Sequence, residues 1–420
     1  METMEMTTAS EAAGKQGYKL TRFGWIPEEW EVVKLKKCCQ LIKDGTHFSP
    51  VSKDGPKMYI TSKNIRNGHL DLGNLSYISE EEHRSIYSRC PVQKGDILLT
   101  KDGASTGNVC QNPLDEEFSL LSSVAVIRAD ERKVHNSYLL QFLLSPLGVK
   151  AIDDEIAGQA ITRITLDKIQ AIQLPLPPIE EQERITDFLN SIDKSVRLLT
   201  GILESKRTYK RGLMQQLLTG KRRFPEFQGQ PLPLVAIGEM ITESRESLPV
   251  SNPHQRITVR LSLNGVEARD VRGTESEDAT VYYLRRAGQF IYGKQNLHKG
   301  AMGIIPAKLD GFSSTQDMPT FDFAGTVNPQ WFLYLMSREN FYLNLEKIAT
   351  GTGSKRIQPA SLFKIKVPFP SLPEQQRIAA VLTACDQEIE LLQAQLRQCQ
   401  QQKKGLMQQL LTGQLRVPAI

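Results

Sequence analysis

The sequence predicts an α+β protein: two tandem α/β modules separated by two long antiparallel coiled-coil helices, with a pseudo-two-fold axis relating the halves. Three observations predict it. The nonapeptide Gly212-Leu-Met-Gln-Gln-Leu-Leu-Thr-Gly220 returns unchanged as Gly405 to Gly413, 193 residues later. Around it, residues 175–225 align without a gap to 368–418, with 23 identities in 51 positions. Both segments carry apolar residues in alternating steps of four and three, the spacing of a helix–helix seam. A solenoid unit runs about 20–50 residues, so a repeat of this length is a domain. The chain is two copies of one module, and its function must explain why two are needed.

Residues 1–17, acidic and small, lack the apolar stretch of a signal peptide and read as a disordered lead-in. The first module, 18–174, opens with Gly24-Trp-Ile-Pro-Glu-Glu-Trp30 and a short strand at Val32, Val33 and Leu35. Apolar runs then alternate with turn signals: Met58-Tyr-Ile-Thr before Asn67-Gly68, Gly95-Asp-Ile-Leu-Leu-Thr before Lys101-Asp-Gly-Ala, and Ser123-Val-Ala-Val-Ile-Arg128. That is the pattern of a β-rich region. A helix follows from Asn136 to about Ala151, broken near Pro146; a loop runs from Gly158 to Thr162, and a strand ends at Pro175. The second module, 226–367, repeats this order in diverged residues. Gly288-Gln-Phe-Ile-Tyr replaces Gly95-Asp-Ile-Leu-Leu, a helix from Trp331 to Tyr342 replaces the first one, and Ile365-Lys-Val-Pro replaces the last strand.

The central spacer helix lies in 175–225 and the distal one in 368–420. Its seam runs through Ile185, Leu189, Ile192, Val196, Leu199 and Leu203, passes Lys206 and Lys210, and resumes at Leu213 and Leu217. The second seam is Ile378, Leu382, Cys385, Ile389, Leu392, Leu396, Cys399, Lys403, Leu406 and Leu410. From Glu180 to Leu218 such a helix spans roughly 58 Å. The link from Gly220 to Leu234 reaches at most about 50 Å, too little for a parallel return, so antiparallel pairing is expected. Ser371-Leu-Pro-Glu374 has capping-box spacing with proline in the first turn; Glu180, Glu181 and Glu183 sit at the positive end of the other helix dipole. Gly212 and Gly405 inside the helices predict a close backbone approach or a bend, and Gly220 and Gly413 predict helix stops.

Composition excludes several classes. No run of about 18 apolar residues is present for a membrane helix. The six cysteines form no Cys-x-x-Cys pair and stand apart from any histidine cluster, the six histidines (His47, His69 and His298 among them) being scattered, so no zinc site is expected and a reduced, cytoplasmic protein is. The net charge of +5 is locally distributed: residues 30–174 hold 18 basic and 18 acidic side chains, and 180–225 hold 10 and 6. A polyanion would meet local patches, not a globally basic surface. Neither a Gly-x-x-x-x-Gly-Lys-Ser/Thr phosphate loop nor a Gly-x-Gly-x-x-Gly dinucleotide motif occurs, and no aromatic motif for amine methylation does. Three glycine-bearing basic loops remain: Lys101 to Gly107, Lys294 to Gly303 and Gly351-Thr-Gly-Ser-Lys-Arg356. Each reads either as a plain turn or as a phosphate-contacting loop. Two diverged heads on a spacer of this length would sit about one and a half turns of B-DNA apart.

These residues resemble the specificity subunit of type I restriction–modification enzymes. The resemblance rests on Gly24 to Trp30, Asp44-Gly-Thr-His-Phe-Ser-Pro50, Gly95 to Gly103, Pro175-Leu-Pro-Pro-Ile-Glu-Glu-Gln-Glu-Arg-Ile185, and Gly212 to Gly220. The twin Pro-x-Pro-x-x-x-Glu-Gln-x-Arg-Ile helix starts are its most specific part. It implies that 18–174 and 226–367 are target-recognition domains reading the halves of a bipartite asymmetric DNA sequence. It implies no catalysis by this chain, which binds double-stranded DNA and two methyltransferase subunits, with restriction subunits joining for cleavage. No cofactor is expected on the chain itself; S-adenosylmethionine, ATP and Mg²⁺ belong to the partners. The candidate DNA contacts are Lys63, Arg66, Lys101, Ser105, Thr106 and Arg163 in the first module, and Lys294, His298, Lys299, Lys355 and Arg356 in the second. The seam residues named above are the candidates for helix pairing and partner docking. A coiled-coil scaffold binding proteins through its globular ends is the alternative, and steep salt dependence of DNA binding would separate the two.

Overall fold

The computed structural model describes residues 15–52, 54–156, 162–249, 252–271, 281–351 and 355–418. The lead-in up to residue 14, most of the loop expected at 158–162, and residues 352–354 of the third basic loop lie outside the described residues. The chain divides into two compact units, residues 1–199 with 395–420 and residues 200–394.

In the first unit the framework strands are β1 (Glu31–Lys34), β2 (Cys39–Asp44), β3 (Ile97–Thr100), β4 (Val109–Gln111), β5 (Val124–Ala129) and β6 (Gln173–Leu176). Four of them form an antiparallel sheet in the order β4-β3-β5-β2, while β1 pairs with β6. The central strands are continuous apolar runs because both faces of the sheet are covered. Ile97, Leu99, Ala125 and Ile127 face a core that includes Tyr138, Leu139, Phe142 and Leu143 of α1 (Asn136–Leu144). Leu98, Val124 and Val126 face a second core with Ile60, Phe118 and Leu120. Successive side chains on a strand point to opposite faces, which gives this division directly. The expected break near Pro146 is present: a further helix, Pro146–Ile156, follows α1.

The second unit has the same topology in different residues. Its strands are β7 (Leu234–Ala236), β8 (Ile241–Ser244), β9 (Phe290–Tyr292), β10 (Met302–Ile304), β11 (Thr320–Phe323) and β12 (Lys366–Pro368). The sheet order is β10-β9-β11-β8, and β7 pairs with β12. The helix expected from Trp331 to Tyr342 is two helices: α3 (Pro329–Met336), to be set beside α1, and Glu339–Asn344. The cause is Arg338, which takes an extended conformation (ψ 123°) while its Nε caps the Leu335 carbonyl at 3.2 Å.

The two long helices are α2 (Ile179–Leu217) and α4 (Leu372–Leu410), 39 residues each. The first unit holds the first half of α2 and the last part of α4; the second unit holds the remainder of each. In the first unit Asp193 meets Lys403 at 2.7 Å, and Ile185 and Leu189 share a core with Met407, Leu410 and Leu411. In the second, Lys206 meets Glu388 at 2.7 Å and Lys210 bonds Asp386. As one partner's number rises the other's falls, so the segments paired within each unit run in opposite directions. The lysines that interrupt the apolar seam are therefore its ionic layers: Lys210–Asp386 and Lys403–Asp193 are the same pair at the repeat offset.

Three expectations about the helices are corrected. Both run unbroken through Gly212 and Gly405, and a Cβ there would meet nothing within 4 Å, so these glycines mark no close approach. The close approach belongs to the stops, Gly220 (φ +72°) and Gly413 (φ +67°). Glu374 does not close a capping box; its carboxylate turns to Arg223.

Candidate nucleic-acid interface

The sequence-predicted contacts of the first module gather around one loop. Lys101–Gly107 turns at Gly103 (φ +99°) and Gly107 (φ +93°), conformations that only glycine adopts cheaply. Ser105 Oγ donates to the Ser62 carbonyl at 3.4 Å, which places the exposed Lys63 beside the loop. On the other flank Thr106 Oγ1 bonds the Thr162 carbonyl at 2.9 Å, and Asp102 bridges to Arg163. Arg66 stands on the next turn with Asp71, 3.5 Å away. Lys101 is different. It is 3% exposed with its ammonium on Asp44, so it fixes the loop from beneath and presents no charge to a polyanion. Its place in the list of surface contacts is corrected accordingly, because breaking a buried pair strands the other charge.

The second module keeps the bond to the lysine carbonyl and differs in what surrounds it. The Ile357 N–H donates to the Lys294 carbonyl at 2.8 Å, and Arg356 reaches Asp317 at 3.3 Å. Lys355 meets Glu346 at 3.0 Å, and His298 and Lys299 add to the positive field that lowers the Glu346 pKa, after the direct hydrogen bond from Lys355. So Lys294 and Arg356 are brought near each other through Ile357, and His298, Lys299 and Lys355 collect around Glu346. Among the described residues no group of three potential metal ligands occurs, and no helix is long and apolar enough to cross a membrane.

The seam residues proposed for pairing and docking are placed as follows. Ile185, Leu189, Leu203, Leu217, Ile378, Leu382 and Leu410 are buried; Ile192, Val196, Leu199, Leu213, Ile389, Leu392, Leu396 and Leu406 are half-buried. Apolar surface that the helices leave open is elsewhere, on Phe188, Leu198, Ile202, Tyr209 and Leu391. Leu198 and Leu391 are equivalent under the repeat and are 59% and 65% exposed.

Sequence reasoning missed what the shared Glu-Gln pair does. Glu181 is buried; its carboxylate accepts from Trp30 Nε1 at 3.0 Å and from Arg416 Nη2 at 2.9 Å. Glu374 is equally buried and accepts from Arg223 Nε at 2.9 Å. Gln182, fully buried, accepts the His135 N–H at 3.0 Å and donates to the carbonyls of Lys133 (3.0 Å) and Pro177 (2.9 Å). Gln375 repeats this with Asn328 N–H (2.8 Å) and the carbonyls of Thr326 (3.1 Å) and Pro370 (3.0 Å). Each glutamine thus pins the start of a long helix to the loop that precedes α1 or α3. The repeat shows that both residues are kept, but it gives no sign of the backbone partners that explain why.

Gln375→Leu should therefore cost about 1–3 kcal/mol, because one buried and two partly buried backbone groups lose their partner. A shift of the urea midpoint at unchanged slope is the measurement. The exposed neighbour change Gln376→Leu should stay within about 0.5 kcal/mol; equal effects would rule out the pinning role.

Residues 27–205 and 285–401 match the family model described as the type I restriction modification DNA specificity domain. Over 432 residues the chain is 26% identical to the putative type I restriction enzyme MjaX specificity subunit of Methanocaldococcus jannaschii, covering 96% of this chain and 97% of that one. The type I restriction enzyme MjaVIII specificity subunit of the same organism is 24% identical over 414 residues, covering 93% and 94%. A crystal structure of a type I restriction-modification system S subunit from M. genitalium shares the fold, with a TM-score of 0.55 at 15% identity over 96% of this chain and 98% of that one.

Proposed function

The chain belongs to the type I restriction–modification DNA specificity family, and from that premise we propose that it reads a bipartite asymmetric DNA target, one module per half-site. The observation that carries this reading is the contrast between the two units. Their sheets have the same strand order, and their helix starts make the same contacts. Their loop clusters share the Lys101/Lys294 and Arg163/Arg356 positions and the bond from Ile164 or Ile357 to the lysine carbonyl, and differ in the residues around them. Equal frames with unequal reading surfaces suit an asymmetric sequence. Surface lysines and arginines of the clusters would set register on phosphates, and neighbouring loop groups would read base edges.

In this reading α2 and α4 form an antiparallel coiled coil that sets the unread spacer between the half-sites. Two methyltransferase subunits dock on the helices, and the equivalently placed, exposed Leu198 and Leu391 suit one subunit each. The chain is non-catalytic and cytoplasmic; S-adenosylmethionine is held by the methyltransferases, and ATP and Mg²⁺ by restriction subunits that join for cleavage.

Sequencing of methylated positions in cells carrying this chain with its methyltransferase partner tests the proposal. A two-part motif with a fixed gap is expected. Deleting four residues of α2 within 195–205 should shorten that gap or abolish methylation; methylation with an unchanged gap would show that the helices are not the ruler. Intrinsic methyltransferase activity of the purified chain would sink the reading as a whole.

A further inference from the structure

The two modules build one loop position with opposite charge. Lys101 and Lys294 are equivalent: the first accepts the Ile164 N–H at 2.9 Å, the second the Ile357 N–H at 2.8 Å, and both pairs differ by the repeat offset. Strand register then shows what faces them. Ile42 opposes Ile127, which opposes Ile97; Glu243 opposes Phe321, which opposes Phe290. Ile97 and Phe290 are repeat equivalents, so Ile42 matches Glu243. Two residues on, Asp44 matches Arg245. The acid that neutralises the lysine in the first module is an arginine in the second.

Beneath this position in the second unit lies Arg285, 1% exposed and, among the described residues, without a carboxylate partner. Its Nε donates to Ser314 Oγ at 2.7 Å, Nη1 to Thr320 Oγ1 at 2.8 Å and the Ser244 carbonyl at 3.2 Å, and Nη2 to the Met318 carbonyl at 3.2 Å. A guanidinium has five N–H groups, so one remains. Burial lowers the Arg285 pKa to about 10, which leaves it charged at neutral pH with that charge poorly compensated. Arg285 and Lys294 line a cavity of about 80 Å³ with Glu243, Arg245, Tyr283 and Gln316. Glu243 is engaged by Arg245 at 2.8 Å, so two positive charges stay unbalanced around a space that fits one small oxyanion.

We propose that this cavity is a phosphate subsite of the second module, held by Arg285 and Lys294 and absent from the first module, where Val92 stands at the Arg285 position and Asp44 at that of Arg245. The phosphate is either a backbone phosphodiester of bound duplex, an arm that rests on the DNA-reading function, or free inorganic phosphate. Arg285 offers the anion its one remaining N–H and its charge, and Lys294 a point-charge ammonium.

The experiment uses the full chain and its Lys294→Gln and Arg245→Asp variants, the second placing beside Lys294 the acid that Asp44 supplies to Lys101 in the first module. Both positions lie at the rim, so neither removes the buried arginine. Binding of a random-sequence duplex is followed across salt concentrations, and binding of inorganic phosphate by calorimetry. Both variants should weaken phosphate binding at least tenfold and lower the log–log salt slope for duplex by about 1. Loss of phosphate binding with an unchanged duplex slope assigns the site to free phosphate. Unchanged phosphate binding and an unchanged slope, while the wild type binds duplex, overturn the proposal. A wild type that binds no duplex refutes the DNA-reading function, and the phosphate titration still decides the subsite.

Discussion

Exchanging residues 30–156 for the equivalent segment of another family member will change one half of the recognised sequence and leave the other half as it was. The reason is where the contacts lie. The core of Ile60, Leu98, Phe118 and Val126 lies wholly inside the exchanged segment, and the core under α1 meets α2 and α4 only through a few apolar residues such as Ile185, Leu189, Met407 and Leu410. The exchanged segment contains Lys63, Arg66, Ser105 and Thr106, while Gln182 and Glu181, which pin the module to α2, lie outside it. Gln182 meets the exchanged part through backbone groups of Lys133 and His135, which any sequence supplies, and Glu181 requires only that the donor keep the tryptophan at position 30. Binding discrimination rests on about 1–3 kcal/mol for each base pair, so a new set of loop side chains should replace the half-site completely. Methylated-position sequencing reads the outcome; a change in both halves would refute one module per half-site.

Gly413→Ala will destabilise the first unit by about 2–5 kcal/mol, whereas Gly405→Ala in the same nonapeptide will stabilise its helix by up to about 1 kcal/mol. A Cβ at Gly413 would fall 2.4 Å from Pro27 Cδ and 3.2 Å from the Trp30 ring, neither of which can swing aside. The left-handed conformation adds roughly 1–2 kcal/mol for a non-glycine residue, and overpacking about 1–3 kcal/mol. Gly405 is exposed with open space at its Cβ position, so alanine there gains only helix propensity. Gly220→Ala should fall between them, because the colliding atom is the mobile end of Leu232. Denaturant midpoints of the four proteins give the ranking, and a stable Gly413→Ala would remove the argument.

The duplication, the strands around Gly95 and Gly288, the seam and the helix stops were legible because each depends on local periodicity or on a residue type with one conformational use. The pinning glutamines were not, because their partners are backbone atoms about 50 residues away, and backbone leaves no mark on sequence. The buried state of Lys101 was equally hidden: the loop reads as basic, but Asp44 reaches the ammonium only once β2 and β3 are both placed beside β5. Gly212 and Gly220 look alike in a repeat, and only the packing of Leu232 or Trp30 tells which of the two must be glycine.

The salt link between Glu181 and Arg416 has a consequence for synthesis. Its partners are 235 residues apart, and Tyr18 waits for the carbonyl of Gly413 over a still longer interval. At roughly 5–20 residues per second, the ribosome delivers Arg416 about 10–50 s after Glu181. The corresponding partners of the other unit, Arg223 and Glu374, are 151 residues apart and both emerge earlier than Arg416. The module made first is thus the one completed last, and its acidic anchor spends the interval without its cation.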